Sequence, residues 1–401
     1  MTVFSGLRVI DVASYVAAPA AATILSDFGA EVIKIETPAG GDGNRLLSSL
    51  SGLPQGEHNY AWDLISRNKL GLALDLKRVE GQAVLHRMVA QADVLITNFP
   101  IKIRAKLGLD YASLAGLNPR LIYASVTGYG ETGPEAHRLG FDTTAYFARS
   151  GITDVVRPHE HAPPVGSAAA QGDAPTASTL YGAIVTALYQ RERTGRGANV
   201  STSLLANGFW ANGVMIQAAL SGAKITYRQP RTAPRNPLSN FYLCRDGRWL
   251  SMVMISEDKL WPVLLEQLGL PSLAADERFA TSAARRIHTE ALTAEFDRVF
   301  LERDARAWQS HFQSSGLTVS VVAKLADVPD DKQAHYAGAF VESDGMGGTA
   351  KTVASPFQIE GVTKTRPQAA PALGEHSDRV LASFGFLTDE ISELRRLKVV
   401  V

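Results

Sequence analysis

The sequence predicts an α/β protein: a large domain on a doubly wound, Rossmann-like parallel sheet, with a second, smaller α/β domain. Three observations predict it. Through roughly the first 130 residues, short β-branched runs alternate with stretches whose apolar residues recur at helical spacing. The chain has 401 residues, more than one compact domain usually holds. Composition changes near Arg228, where YRQPRTAPRNPLSN places three prolines among arginines and asparagines and reads as a linker.

LRVIDV (7–12), EVIKIE (31–36), LGLALDL (70–76), DVLITNF (93–99) and RLIYASV (120–126) read as buried strands. PAAATILSDFGA and VEGQAVLHRMVAQA fall between them as helices. This β-α-β-α order implies parallel strands with helices on both faces. A loop-rich section follows from about 127 to 175. The long helix ASTLYGAIVTALYQRERTG then closes on a glycine, and a strand, ANVSTSLL, and an apolar helix over 204–221 complete the unit. Beyond the linker, DGRWLSMVMI, EDKLWPVLLEQLG and a charged helix near 281–303 suggest the smaller unit. From about 331 the pattern loosens into KTVASPFQIEGV and a tail carrying the helix TDEISELRRL. The expected boundaries are 1–224 for the N-terminal part of the large domain, 225–330 for the small domain with linkers, and 331–401 for a part returning to the large domain.

Forty basic and forty acidic residues cancel, so no global field favours nucleic acid or an anionic membrane. No apolar run approaches the roughly 20 residues of a membrane span. The start, MTVFSGLRVIDV, lacks the pattern of a signal peptide, and a cytoplasmic protein is expected. The single cysteine, Cys244, excludes an intrachain disulfide and reads as a buried, inert thiol. The opening β-α-β unit invites a dinucleotide site, with Glu36 ending the second strand. Its first turn, VASYVAAPA, has no glycine, so the backbone cannot approach a pyrophosphate closely. His159 and His161 form a close pair in a proline-rich loop, but no further ligand follows at metal spacing, and no metal site is expected.

AAAQGDAPTAS (168–178) sets Asp173 behind a glycine at the start of the long helix. Two readings are compatible there. Its side chain can cap the helix by accepting backbone N–H groups. It can also be a carboxylate nucleophile, kept ionised by the helix dipole.

The run PPVGSAAAQGDAPTASTLYGAIVTALYQRERTGRGANVSTSL resembles the signature region of the class III coenzyme A transferases, the formyl-CoA and carnitine CoA-transferase family. The family motif is S-A-A-A-x-G-D-x-x-T-G before a helix ending A-L-x-x-R-x-x-T-G-x-G; Ala177 replaces its last glycine here. LSDFGAEVIKIETPAGGD, SRNKLGLALDLK, LITNFP, LNPRLIYASVTGYG, DERFATSAARRIH and LGEHSDRVL extend the resemblance in order over nearly the whole chain. The resemblance places the catalytic aspartate on Asp173. It places coenzyme A contacts on Val16 and Ala17, on Asn68 and Lys69, and on Asn98. Lys106 stands where the family has an arginine, and the coenzyme contacts extend to Phe141 and to Arg138, which lies one position earlier than the family's loop base, ahead of Phe141 and Asp142. Thr37 replaces a further basic contact, and the glycine-rich flap of formyl-CoA transferases is missing.

The resemblance implies an interlocked homodimer, with the small domain inserted into the large one. It implies a CoA-transferase that moves coenzyme A from an acyl-CoA donor to a carboxylic acid through an aspartyl anhydride and an aspartyl-CoA thioester. Acyl-CoA is then a substrate, with no permanently bound cofactor. Two alternatives belong to the same superfamily. One is a 2-methylacyl-CoA racemase, disfavoured because Phe141 stands where that branch has a histidine and racemisation needs two proton carriers. The other is intramolecular transfer within a dicarboxylic acyl-CoA.

Overall fold

The computed structural model describes residues 2–50, 52–346 and 349–401. Its main sheet comprises β1 (Arg8–Asp11), β2 (Glu31–Glu36), β3 (Lys69–Ala73), β4 (Val94–Thr97), β5 (Ile122–Thr127) and β6 (Ala198–Ser203). All pairings are parallel, in the order β3-β2-β1-β4-β5-β6. The order reverses between β1 and β4, and in such sheets ligands settle beyond the carboxyl ends of the strands at that point.

Strands β1 to β5 are buried on both faces, which is why they read as near-continuous apolar runs, whereas β6, at the sheet's edge, is only partly covered. Ile10, Ile33, Leu72, Leu95 and Tyr123 face the helices Val79–Val89, Ser377–Ser383 and Thr388–Arg396. Val9, Val32, Val94, Ile122 and Ala124 face Ala17–Asp27 and Asp173–Thr194. The C-terminus packs along the β3 edge: Val401 N donates to Ala73 O, and Asp75 N to Val399 O. The apolar stretch over 204–221 forms two helices, Leu204–Ala211 and Gly213–Leu220, rather than one. Asn212 interrupts them, and its buried amide donates to Ser150 O at 2.8 Å.

The chain forms two compact units. The first holds residues 1–152, 166–220 and 333–401; the second holds 153–165 and 221–332. The loop 153–165, which the sequence assigned to the large domain, lies in the second unit. Arg157 ties it there, stacking its guanidinium on the Tyr227 ring at 5.0 Å. The second unit carries an antiparallel sheet of β7 (Ser239–Leu243), β8 (Trp249–Val253) and β9 (Val319–Val321). Tyr242, Leu250 and Met252 pack inward with Phe296, Phe300 and Trp308 from its helices. Cys244 is buried in this core, and that burial pushes its thiol up to about 11, so it is inert near neutrality. A hairpin, β10 (Phe340–Glu342) with β11 (Lys351–Val353), belongs to the first unit. Among the described residues, no helix is long and apolar enough to cross a membrane.

Candidate active site

A cavity of about 120 Å³ opens in the first unit at the carboxyl ends of β1, β4 and β5. The glycine-free turn after β1 supplies Tyr15, Val16 and Ala17; the turn after β4 supplies Asn98, Pro100 and Ile101; Thr127 and Gly128 end β5. Its volume suits the reacting end of a ligand rather than a whole coenzyme.

The first turn is held from below. Tyr15 has a φ of 64°, a left-handed conformation that a tyrosine adopts only when its surroundings impose it. Asp42 accepts from Tyr15 N at 2.9 Å, and Asn44 donates to Tyr15 O at 2.8 Å. Asp42 is bound at 2.7 Å by the ammonium of Lys34, a side chain with no solvent exposure that also donates to Ala13 O. Asp11 accepts from Ala13 N at 3.1 Å and from Lys69 at 2.9 Å. Glu36 completes the cluster, held by the Arg45 fork at 2.7 Å. Burial opposes ionising Asp11, yet Lys34 and Lys69 outweigh it and keep its pKa below the ordinary value. Burial likewise opposes the charge on Lys34, but Asp11 and Asp42 overcome it and raise its pKa. Asn98 then ties β4 to this turn, accepting from Ser14 N at 2.8 Å and donating to Ser14 O at 2.7 Å.

Asp173 enters from the far wall as the first residue of its helix. Gly172 occupies the cap position and no side chain caps the helix, so the capping reading of Asp173 is corrected. Its carboxylate has no hydrogen-bond partner among the described residues. Burial chiefly, and the nearby Asp142 carboxylate second, push it up from 3.8 to about 7. The expectation of a carboxylate held ionised by the helix dipole is therefore also corrected, because desolvation and a like charge outweigh the dipole. Asp142 accepts from Gly172 N at 3.2 Å. A side chain at Gly172 would lie 2.7 Å from the Tyr146 ring and 2.9 Å from Asp142 Cβ. The glycine thus lets the acid-bearing turn sit against the Asp142–Ala148 π-turn. Gly172 N is thereby already engaged by Asp142 and is not free to donate to a ligand.

Of the residues singled out from sequence, the fold brings Val16, Ala17, Asn98, Arg138, Phe141 and Asp173 to one cavity. Phe141 is largely exposed and packs edge-on against Tyr15, ring centroids 6.1 Å apart, at the cavity mouth. Arg138 pairs with Glu135 at 2.7 Å and lies 5.0 Å over the Tyr129 ring. Three residues do not line the cavity. Lys106 is exposed on the turn Ala105–Leu107, past the helix Ile101–Arg104 that starts at the cavity wall. Asn68 lies at the opposite, amino end of β3, where its side chain accepts from Gln368 N at 2.8 Å. Lys69 is wholly buried, its ammonium bonded to Asp11 and, at 2.7 Å, to Pro19 O. Burial lowers it to about 8. Placing it against a coenzyme phosphate is corrected: no phosphate reaches it without opening the cluster.

Sequence reasoning missed Tyr15, Thr127, His137, Gly140 and Leu204, which also line the cavity. The carboxyl-end rule could have found Thr127, which ends the strand neighbouring β4. His137 carried no motif signal. Among the described residues, no group of three or more His, Cys, Asp or Glu side chains is arranged to hold a metal ion.

Comparison with known proteins gives a consistent answer. A family model described as CoA-transferase family III matches residues 4–377. The chain is 32% identical over 400 residues to an (R)-2-hydroxy-4-methylpentanoate CoA-transferase of Clostridioides difficile, covering 98% of each. It is 31% identical over 399 residues to a cinnamoyl-CoA:phenyllactate CoA-transferase of Clostridium sporogenes, covering 98% of this chain and 96% of that one. Its fold is similar to the crystal structure of a CAIB/BAIF family protein from Brucella suis. The TM-score is 0.84 at 29% identity, over 96% of this chain and 99% of that chain.

Proposed function

The chain belongs to CoA-transferase family III and is an enzyme of that kind; from that premise we propose that Asp173 is its nucleophile. The observation carrying this is a carboxylate with no hydrogen-bond partner among the described residues, lining a cavity at the sheet's switch point. One Asp173 oxygen attacks the carbonyl of the acyl-CoA thioester, the C–S bond breaks, and an acyl-aspartyl anhydride forms with coenzyme A thiolate leaving. The thiolate attacks the aspartyl carbonyl, releasing the donor acid and leaving an aspartyl-CoA thioester. The acceptor carboxylate displaces the thiolate to give a second anhydride. Thiolate then attacks the acceptor's acyl carbon, yielding the new acyl-CoA and restoring Asp173. Water is a competitor at both anhydrides, and the Tyr15–Phe141 pair at the mouth is placed to exclude it. Lys106 and Arg138 are the cations we assign to the coenzyme phosphates. We read the working state as a cytoplasmic, interlocked homodimer, on likeness to the family.

Pairing a panel of acyl-CoA donors with carboxylic acids, and identifying products by mass spectrometry, tests this reading. With an acceptor labelled with heavy oxygen in its carboxylate, one label ends in the Asp173 side chain. Transfer that leaves this peptide unlabelled rules out the covalent route.

The pH dependence carries its own sign. Attack needs the ionised carboxylate, so kcat/KM rises about tenfold per pH unit below about 7 and levels above it. Asp142→Asn removes the like charge and moves that inflection to lower pH. A profile flat from pH 5 to 8, unchanged by Asp142→Asn, contradicts the assignment.

One observation favours a second reading, α-proton exchange: His137 lines the same cavity as Asp173 and offers a second proton carrier. Incubating a 2-methylacyl-CoA in deuterated water without an acceptor acid decides between them. Transfer alone leaves the α-carbon unlabelled; rapid deuteration identifies a racemase.

A further inference from the structure

The second unit holds a cleft of about 650 Å³ that none of the transfer chemistry above uses. It forms where the arginine-rich segment before β7 passes over the outer face of the small sheet. Strand alternation explains the surface: Tyr242 and Leu250 point into the core, so Phe241 and Trp249 point out, 47% and 38% exposed. Asn240, although on the buried face, holds the segment in place by donating to Arg231 O at 3.0 Å.

The cleft's charge is one-sided. Arg231 is neutralised by a two-pronged pair with Asp297, both contacts 2.8 Å, and lies 5.6 Å over the Trp249 ring. Arg228 and Arg235 line the same cleft with no acidic partner among the described residues. Two guanidinium forks without an acidic partner among the described residues, beside the exposed parts of the Phe241 and Trp249 rings, suit a ligand with one anionic head and an apolar or aryl body. A carboxylate accepts the fork in parallel hydrogen bonds, and the indole and phenyl faces cover the body. A dicarboxylate would leave its second charge against the aromatic wall.

We propose that this cleft binds a carboxylic acid with an apolar body, the acceptor class of the transfer reaction. The binding claim stands on the cleft alone; only the ligand's role rests on the transferase reading.

Calorimetric titration of the full chain, without acyl-CoA, tests it with 3-phenylpropanoate, 3-phenylpropanamide and adenosine 3′,5′-bisphosphate. The acid is expected to bind and the amide to bind at least tenfold more weakly. Arg228→Gln and Arg235→Gln should each weaken the acid about tenfold, the loss of one charge-assisted contact. In turnover, each should raise the acceptor KM by the same factor and leave the acyl-CoA KM within about twofold. Unchanged acid binding in the double variant overturns the proposal, as does bisphosphate binding that the double variant abolishes. Formation of aspartyl-CoA from a donor alone reads the Asp173 chemistry separately. If that fails in the parent enzyme, the nucleophile assignment falls while the titration still judges the cleft.

Discussion

Asp173→Asn is expected to abolish coenzyme A transfer while making the protein more stable at pH 8. Losing a covalent nucleophile should cost roughly four orders of magnitude or more in kcat. Stability moves the other way because the fold disfavours the ionised carboxylate, raising its pKa from 3.8 to about 7. Between those values the folded chain holds the proton that the unfolded chain releases. Stability therefore falls as pH rises through that window, and the penalty is complete above about 7. The asparagine removes the penalty and forfeits no cap, since the aspartate makes none. We expect a gain of about 1–3 kcal/mol at pH 8, shrinking to nothing below pH 4. Thermal melts of parent and variant at pH 4 and pH 8, with Asp173→Ala as a second variant, check it. Turnover within tenfold of the parent removes Asp173 as nucleophile. A variant less stable at pH 8 means the carboxylate makes a stabilising contact.

Lys34→Met should be the most damaging single change beneath the cavity. It leaves Asp42 and Asp11 as buried carboxylates short of a counter-charge, and removing one partner of such a pair costs roughly 3–5 kcal/mol. The same change frees the turn that Asp42 and Ala13 O hold, so Tyr15, Val16 and Ala17 lose their anchor. The acyl-CoA KM should rise at least about tenfold, with a smaller change in the rate of the bound complex. Lys34→Met combined with Asp42→Asn keeps an oxygen for Tyr15 N while neutralising the stranded acid. It should recover about 1–3 kcal/mol, read from denaturant midpoints as a coupling between the two sites. Additive losses would mean that the pair is not coupled. Recovered stability without recovered KM would mean that charge, not geometry, serves the coenzyme.

The sheet was legible because strands β1 to β5 are buried on both faces and so appear as nearly uninterrupted apolar runs between helices of clear period. Asp173 was legible for a different reason: a short run of small residues around one acid at a helix start matches a known motif. The fates of the two lysines show the limit. Lys69 and Lys106 look alike in sequence, each a base beside the end of a strand or turn. One lies under the sheet's rim against Asp11, and the other faces solvent. No local pattern separates them, because the difference lies in what the next element brings across.

By itself the sequence determined the α/β class, the parallel order of its opening half, the inert cysteine and the acid at the head of the long helix. Each depends on residues close along the chain, where period, turn chemistry and motif act. Tertiary structure alone decided that Lys34, Asp42 and Asp11 clamp the turn carrying Tyr15. It alone brought Asp142 beside Asp173, joined 153–165 to the second unit, and set Arg228 and Arg235 in one cleft with Phe241 and Trp249, without an acidic partner among the described residues. Those outcomes depend on charge and burial among residues far apart in the chain, which become neighbours only when the core closes.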